Sequence, residues 1–239
     1  MASSKLRTIR AGRALALAAV AATTALGAGT ALAALVEGTE GDDQLMGTPR
    51  SDMFVAKGGN DGVVAQGGDD GVAAGDGNDS VLAQGGRDNV SGGPGDDTLD
   101  GGQGPDVVYG QDGNDTVLGR QGRDEVRGRG GDDVVRGGRG SDSVFGGVGV
   151  DTSYGGPGRD VMLALAKADA NAPGGDTLFG GRGNDVIRVS DGEADSVDCG
   201  RGRRDRVISD PGRLDHVTRC EIIVIRPPRE ESDDAEVNQ

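Results

Sequence analysis

Gly92-Gly93-Pro94-Gly95-Asp96-Asp97-Thr98-Leu99-Asp100 runs directly into Gly101-Gly102-Gln103-Gly104-Pro105-Asp106-Val107-Val108-Tyr109, and the two nine-residue units spell one pattern. Glycine stands at positions one, two and four, aspartate at six, and an apolar residue at eight. Extending this frame both ways places an aspartate at the sixth position of fourteen successive blocks between Gly38 and Leu163, without insertion or deletion. The apolar residue two places later fails in one block only, where Ser153 stands. A short fixed period carrying one acid and one apolar residue per unit predicts a solenoid in which the acids stack and the apolar residues form a thin core.

Within a unit, the glycines supply the positive φ angles of a tight turn, and the residues around position eight form a short parallel strand. Two units then make one coil with turns on opposite edges, so aspartates 18 residues apart stack on the same edge, about 4.8 Å from coil to coil. Composition agrees with a repetitive chain: 47 of 239 residues are Gly, with three Phe, two Tyr and no Trp, too few aromatic residues for an ordinary globular core. Collagen is excluded because the period is nine with no three-residue glycine register. Disorder would explain the composition but not the register.

One buried valine per unit contributes little against the ordering of nine backbone residues and the stacking of ionised carboxylates. The acids therefore need a counter-ion that also crosslinks the turns. A hard divalent cation held by carboxylate and backbone carbonyl oxygens does both, and calcium accepts the many flexibly placed oxygens of a turn better than magnesium. Transition metals are disfavoured, because no His or Cys lies in the array.

The pattern Gly-Gly-x-Gly-x-Asp-x-U-x, with U apolar, resembles the RTX, or haemolysin-type, calcium-binding repeat family over nearly all of the chain beyond residue 33. The resemblance implies an all-β fold, a right-handed parallel β-roll (β-solenoid) of nine-residue repeats, with multiple Ca2+ sites between the turns of alternate repeats. The residues it implies as metal ligands are Asp70, Asp79, Asp88, Asp97, Asp106, Asp115, Asp124, Asp133, Asp142, Asp151 and Asp160, with Asp176 and Asp185 further on. Successive ligands on one edge pair as Asp97 with Asp115, Asp106 with Asp124, and so on to Asp142 with Asp160, and Asp176 with Asp195. Departures fall early: Ala56-Lys57, Ala65-Gln66 and Ala83-Gln84 replace the first two glycines, and Arg50 replaces the fourth-position glycine, so weaker sites are expected there.

Outward from the array, residues 1–33 read as a secretory signal peptide: Lys5, Arg7, Arg10 and Arg13 precede the apolar run Ala14 to Leu26, and Ala31-Leu32-Ala33 offers a small-x-small cleavage pattern. Its removal would take the formal net charge from −15 to −19, since those four basic residues are lost with no acid. That charge favours cations and disfavours nucleic acid or anionic membrane as partners. The expected location is extracellular, without membrane insertion; a cell surface, a polysaccharide or a second copy is left open as the contact of the folded rod.

After the uninterrupted array at 38–163, residues 164–173 break the phase, and residues 174–226 read as degenerate repeats and a cap. Asp195, Asp205 and Asp215 lie ten apart there, and Ile222 to Ile225 form an apolar run expected to block the open edge. Cys199 and Cys220, the two cysteines of an exported chain, are expected to form a disulfide worth about 3 kcal/mol. Zinc binding by this pair with His216 matches no spacing template. Residues 227–239 read as a disordered tail.

Arg87, Arg123 and Arg159 share the fifth position 36 residues apart, and we read them as balancing the acids on a solvated edge. With one His, no nucleophile motif and glycine spellings that recur as turns without a following helix, catalysis and nucleotide binding are not expected. The functional expectation is a secreted calcium-binding protein that folds on binding Ca2+. The alternative is an extracellular structural or adhesive rod that uses calcium for rigidity.

Overall fold

A computed structural model of the chain describes residues 34–164, 175–189, 194–209 and 215–225. The leader, most of the phase break and the C-terminal tail lie outside the described residues. Twenty-one strands alternate between two parallel sheets. The first sheet stacks, in order, β1 (Ala34–Glu37), β3 (Asp52–Gly58), β5 (Gly71–Asp76), β7 (Asn89–Pro94), β9 (Val107–Asp112), β11 (Glu125–Gly130), β13 (Ser143–Val148), β15 (Val161–Leu163), β17 (Val186–Val189), β19 (Arg206–Ser209) and β21 (Ile222–Ile225). The second stacks β2 (Gln44–Met46), β4 (Gly62–Val64), β6 (Ser80–Leu82), β8 (Thr98–Gln103), β10 (Thr116–Gly122), β12 (Val134–Gly140), β14 (Thr152–Gly158), β16 (Thr177–Gly183), β18 (Ser196–Asp198) and β20 (His216–Thr218). Every pairing is parallel and joins alternate strands, so the chain is a β-solenoid with the architecture of a β-roll.

The register follows the repeat. Val108 lies opposite Val126, and Val126 opposite Val144, so one coil takes two repeats. Position eight of each strand points inward: Val90, Leu99, Val108, Val117, Val126, Val135 and Val144 are fully buried. These side chains form a file two residues wide between the sheets, as thin a core as the composition allows. No helix among the described residues is long and apolar enough to cross a membrane.

Past Leu163 the register jumps. Thr152 pairs with Thr177 and Val161 with Val186, which skips the segment between Ala164 and Gly175 and restores the ladder on its far side. The disulfide between Cys199 and Cys220 is present, with Cα atoms 5.2 Å apart, so neither sulfur is available to zinc. The described residues from 175 to 225 continue both sheets. β21 pairs with β19 on one side only, and Ile223, at an inward position, is 54 % exposed. Among the described residues no strand stands opposite β21 in the second sheet, and nothing covers that edge.

The turns show why glycine recurs at position four. Gly104 has φ +120°, and a Cβ there would overlap the carbonyl of Gly86 one coil earlier. Position two also lies in the left-handed region, where Lys57, Gln84 and Arg120 stand at φ 84°, 75° and 81°, while a Cβ on Gly75 or Gly102 would overlap the carbonyl one coil earlier as at position four. Aromatic residues at position nine meet one another or an arginine across coils. Tyr154 and Phe179 stack with centroids 4.9 Å apart, and the Arg127 guanidinium lies over both Tyr109 and Phe145 on the opposite sheet.

Candidate metal centres

Each aspartate of the column sits where the turn enters its strand, and from Asp43 to Asp160 all fourteen are buried despite their charge. Burial is possible because Oδ1 accepts a hydrogen bond from the backbone amide of the equivalent aspartate one coil earlier. Asp97 N–H donates to Asp115 Oδ1 at 2.8 Å, Asp106 to Asp124 at 3.0 Å, and Asp115 to Asp133 at 2.8 Å. The ladder bridges the register jump, with Asp151 N–H donating to Asp176 Oδ1 and Asp160 N–H to Asp185 Oδ1. It continues from Asp176 to Asp195 and from Asp185 to Asp205.

The second carboxylate oxygen is the informative one. Oδ2 is buried without a hydrogen-bond partner in thirteen aspartates, from Asp61 to Asp142 in unbroken succession and then in Asp160, Asp185 and Asp205. A buried carboxylate oxygen with nothing donating to it costs the full desolvation of that atom. What surrounds it is more oxygen. The space a Cβ would take on Gly119 lies 2.8 Å from Asp124 Oδ2 and 2.6 Å from the Gly137 carbonyl. The same holds at Gly137, 2.9 Å from both Asp142 Oδ2 and the Gly155 carbonyl, and at Gly155, 2.8 Å from Asp160 Oδ2 and 2.7 Å from the Gly180 carbonyl. Position one must therefore be glycine for the carboxylate and the turn carbonyl to converge.

Repeats three to six differ. Ala56, Ala65, Ala74 and Ala83 stand at position one, all fully buried, and each puts a methyl group in the corresponding space beside Asp61, Asp70, Asp79 and Asp88. No three His, Cys, Asp or Glu side chains converge anywhere among the described residues. Any cation held here must draw on carboxylate oxygens in pairs, with turn carbonyls completing its shell. That donor set, all oxygen and flexibly placed, fits calcium.

Burial is the main cause of a uniform displacement of these carboxyls. It pushes Asp97, Asp106 and Asp160 up to about 7, Asp133 to about 8, and Asp61, Asp70, Asp115, Asp124 and Asp185 to about 6. The amide bond from the preceding coil offsets part of this, and at Asp97 and Asp133 stacked neighbouring carboxylates add to it. A carboxyl raised on folding contributes stability that is complete below the unfolded value near 3.8 and is lost as pH rises through the folded one. In chelator the β-sheet signal in circular dichroism should accordingly fall as pH rises from 5 to 8, all of it above the isoelectric point of 4.4. A metal-free fold equally stable at pH 5 and 8 would contradict this.

A family model described as "RTX calcium-binding nonapeptide repeat (4 copies)" matches residues 37–72, 66–99, 91–126, 127–162 and 172–193, together more than half of the chain. The chain belongs to the RTX calcium-binding repeat family. Comparison with curated proteins finds no match. Membership makes calcium the cation of these turns and, with many repeats, implies many sites. Repeats of this family are structural calcium-binding units and not typically catalytic.

The RTX frame collects the expected residues Asp70 to Asp160, Asp176 and Asp185 into two buried columns, one on each turn edge. It also collects Asp195, expected as the partner of Asp176, and Asp43, Asp52, Asp61 and Asp205, which were not among the expected ligands. The ten-residue spacing of Asp195 and Asp205 was their signal. A further ladder was not anticipated: on one edge the position-five side chains accept the amide of the next coil, as Asn60 Oδ1 does from Asn78 and Asp96 Oδ1 from Asn114. Its signal is the Asp or Asn that fills position five of every second repeat from Asp42 to Asp132.

Proposed function

We propose that this RTX chain is a secreted protein whose rod folds when Ca2+ binds between the turns of alternate repeats. The single observation that carries the reading is the succession of buried Oδ2 atoms without hydrogen-bond donors, which at Asp97, Asp115, Asp124, Asp133, Asp142, Asp160 and Asp185 lie beside a turn carbonyl across the space left by a position-one glycine. Asp97, Asp106, Asp115, Asp124, Asp133, Asp142, Asp160 and Asp185 would hold the ions with those carbonyls. Asp151 and Asp176 occupy equivalent places in the column. When bound, calcium supplies positive charge to stacked acids that otherwise repel, and ties one coil to the next. The chain's own residues provide the rest: Oδ1 fixes each carboxylate against the preceding amide, and the missing Cβ leaves the second oxygen facing the turn. The basic start, apolar run and small-x-small pattern before residue 34 support export, and calcium sites of extracellular modules work at about 0.1 to 1 mM.

The alanines divide the array. Asp61, Asp70, Asp79 and Asp88 face methyl groups, so the coils they belong to would hold calcium weakly or not at all, and the strong sites begin near Asp97. Calorimetric counting of bound calcium tests this. Gly137→Ala should lose one ion with the fold retained, since alanine is accepted at this position in four other repeats, and Ala74→Gly should gain one. An unchanged count in both variants would overturn the reading.

A further inference from the structure

The two turn edges carry the same buried aspartate column but opposite exposed charge. At positions three and five of one edge stand Asp76, Asp96, Asp112 and Asp132, all exposed, and no cation among the described residues. The other edge has Arg123, Arg139, Arg159, Arg182, Arg201 and Arg203, also exposed, and from Gln103 onward no exposed acid at these positions. These arginines occupy successive coils, about 4.8 Å apart. None has an ion-pair partner among the described residues, whereas Arg120, Arg127 and Arg219 do. Balancing of the buried acids does not account for them, because the opposite edge buries an equal column with no arginine at positions three and five among the described residues.

The ladder leads into a cleft of about 430 Å³ whose lining includes Pro157, Phe179, Arg182, Asp198, Arg201 and Arg219. Phe179 is half-buried and stacks on Tyr154 at 4.9 Å, and Asp198 follows it along the sheet, so the ring lines the cleft between the two. Asp198, the acid of the cleft, is already bonded by Arg219. Arg182 and Arg201 remain as open cations beside an aromatic face.

We propose that this edge binds an acidic polysaccharide, its chain lying along the arginine ladder with one sugar seated against Phe179. A uronate polymer carries one carboxylate per ring, which suits one guanidinium per coil and the two-pronged geometry of arginine. Its C–H face packs on a phenyl ring. Duplex DNA instead brings a charge every 1.7 Å or so, far denser than the ladder, and a single strand needs successive aromatic platforms where this edge has one. The inference needs the folded rod but not the assignment of any particular calcium site.

Calorimetry on the full chain in saturating calcium, with galacturonate oligomers as the probe, tests it. Binding should weaken with salt, vanish for the methyl-esterified oligomer, and fall about tenfold per arginine removed in the triple variant Arg139→Gln, Arg182→Gln, Arg201→Gln. Phe179→Leu should weaken it further. Lys57→Gln, which removes a cation elsewhere and places a residue that Gln66 and Gln84 show to be accepted, should leave it unchanged. Circular dichroism in calcium establishes that each variant is folded, which separates loss of the site from loss of the rod. Unchanged affinity in the folded triple variant, an equal loss in Lys57→Gln, or tighter binding of single-stranded oligothymidylate would overturn the proposal.

Discussion

Asp124→Asn is expected to move stability in opposite directions in chelator and in calcium. Asp124 Oδ1 accepts the Asp106 amide at 3.0 Å, and the Asp124 amide donates to Asp142 Oδ1 at 2.9 Å. Asparagine keeps both bonds. It replaces the orphaned Oδ2 by an NH2 group that faces carbonyl oxygen, the Gly137 carbonyl lying across the space beside Gly119. Without metal the substitution removes a charge that burial disfavours, its carboxyl being raised to about 6, so the chelated variant should be more stable than the parent at pH 7.5 by roughly 1 kcal/mol. With calcium it removes a ligand carboxylate, so one ion is lost and the calcium-loaded rod is weakened by about 2 kcal/mol or more. The pH at which the β-sheet signal is lost in chelator, expected to rise in the variant, and urea unfolding in calcium, expected to shift to lower urea, read the two signs, and a shift of the same sign in each would show that Asp124 is a structural acid only.

Gly104→Ala should be far worse than any substitution at position one. Its φ of +120° is a conformation that side-chain-bearing residues rarely adopt, and the new Cβ would overlap the Gly86 carbonyl in the adjacent coil. Backbone meets backbone there, so no side chain can rotate away. A cost of about 3 kcal/mol or more is expected, and it falls on a rod whose thin core cannot absorb it. Because each coil touches only its neighbours, the damage should divide the array: hydrogen exchange should rise around Gly86, Gly104 and Gly122 while the coils beyond Asp142 stay protected in calcium. Uniform loss of protection would instead mean that the rod melts as one unit.

Much of this was legible in the residues, for a physical reason. A solenoid repeats its contacts, so a residue needed in one coil is needed at the same place in the next, and the aspartate and apolar columns announce the coil without knowledge of any long-range contact. Legibility fails where the period does. The segment after Leu163 hides the register, and no spacing rule pairs Asp151 with Asp176 across 25 residues. The final apolar run, Ile222 to Ile225, pairs with β19, and among the described residues its other side has no strand partner, which its composition does not reveal. Nor does spacing reveal the orientation of a carboxylate. That Oδ1 is engaged by an amide and Oδ2 is not depends on the depth of the turn, and only then do Ala56, Ala65, Ala74 and Ala83 become methyl groups in the place of a ligand space. Arg139, Arg182 and Arg201 were missed as a group because position three is otherwise filled by Gln, Gly or Pro on that edge.

The central claim is that stacked, buried carboxylates make the fold conditional on a cation. Circular dichroism of the mature chain at pH 7.5, titrated with calcium from chelator to about 10 mM, tests it most directly. The account predicts a coil-like spectrum in chelator and a cooperative change to β-sheet as calcium rises, with magnesium a poor substitute. A chain already β-sheet in chelator at that pH, or still coil-like at the end of the titration, would contradict it.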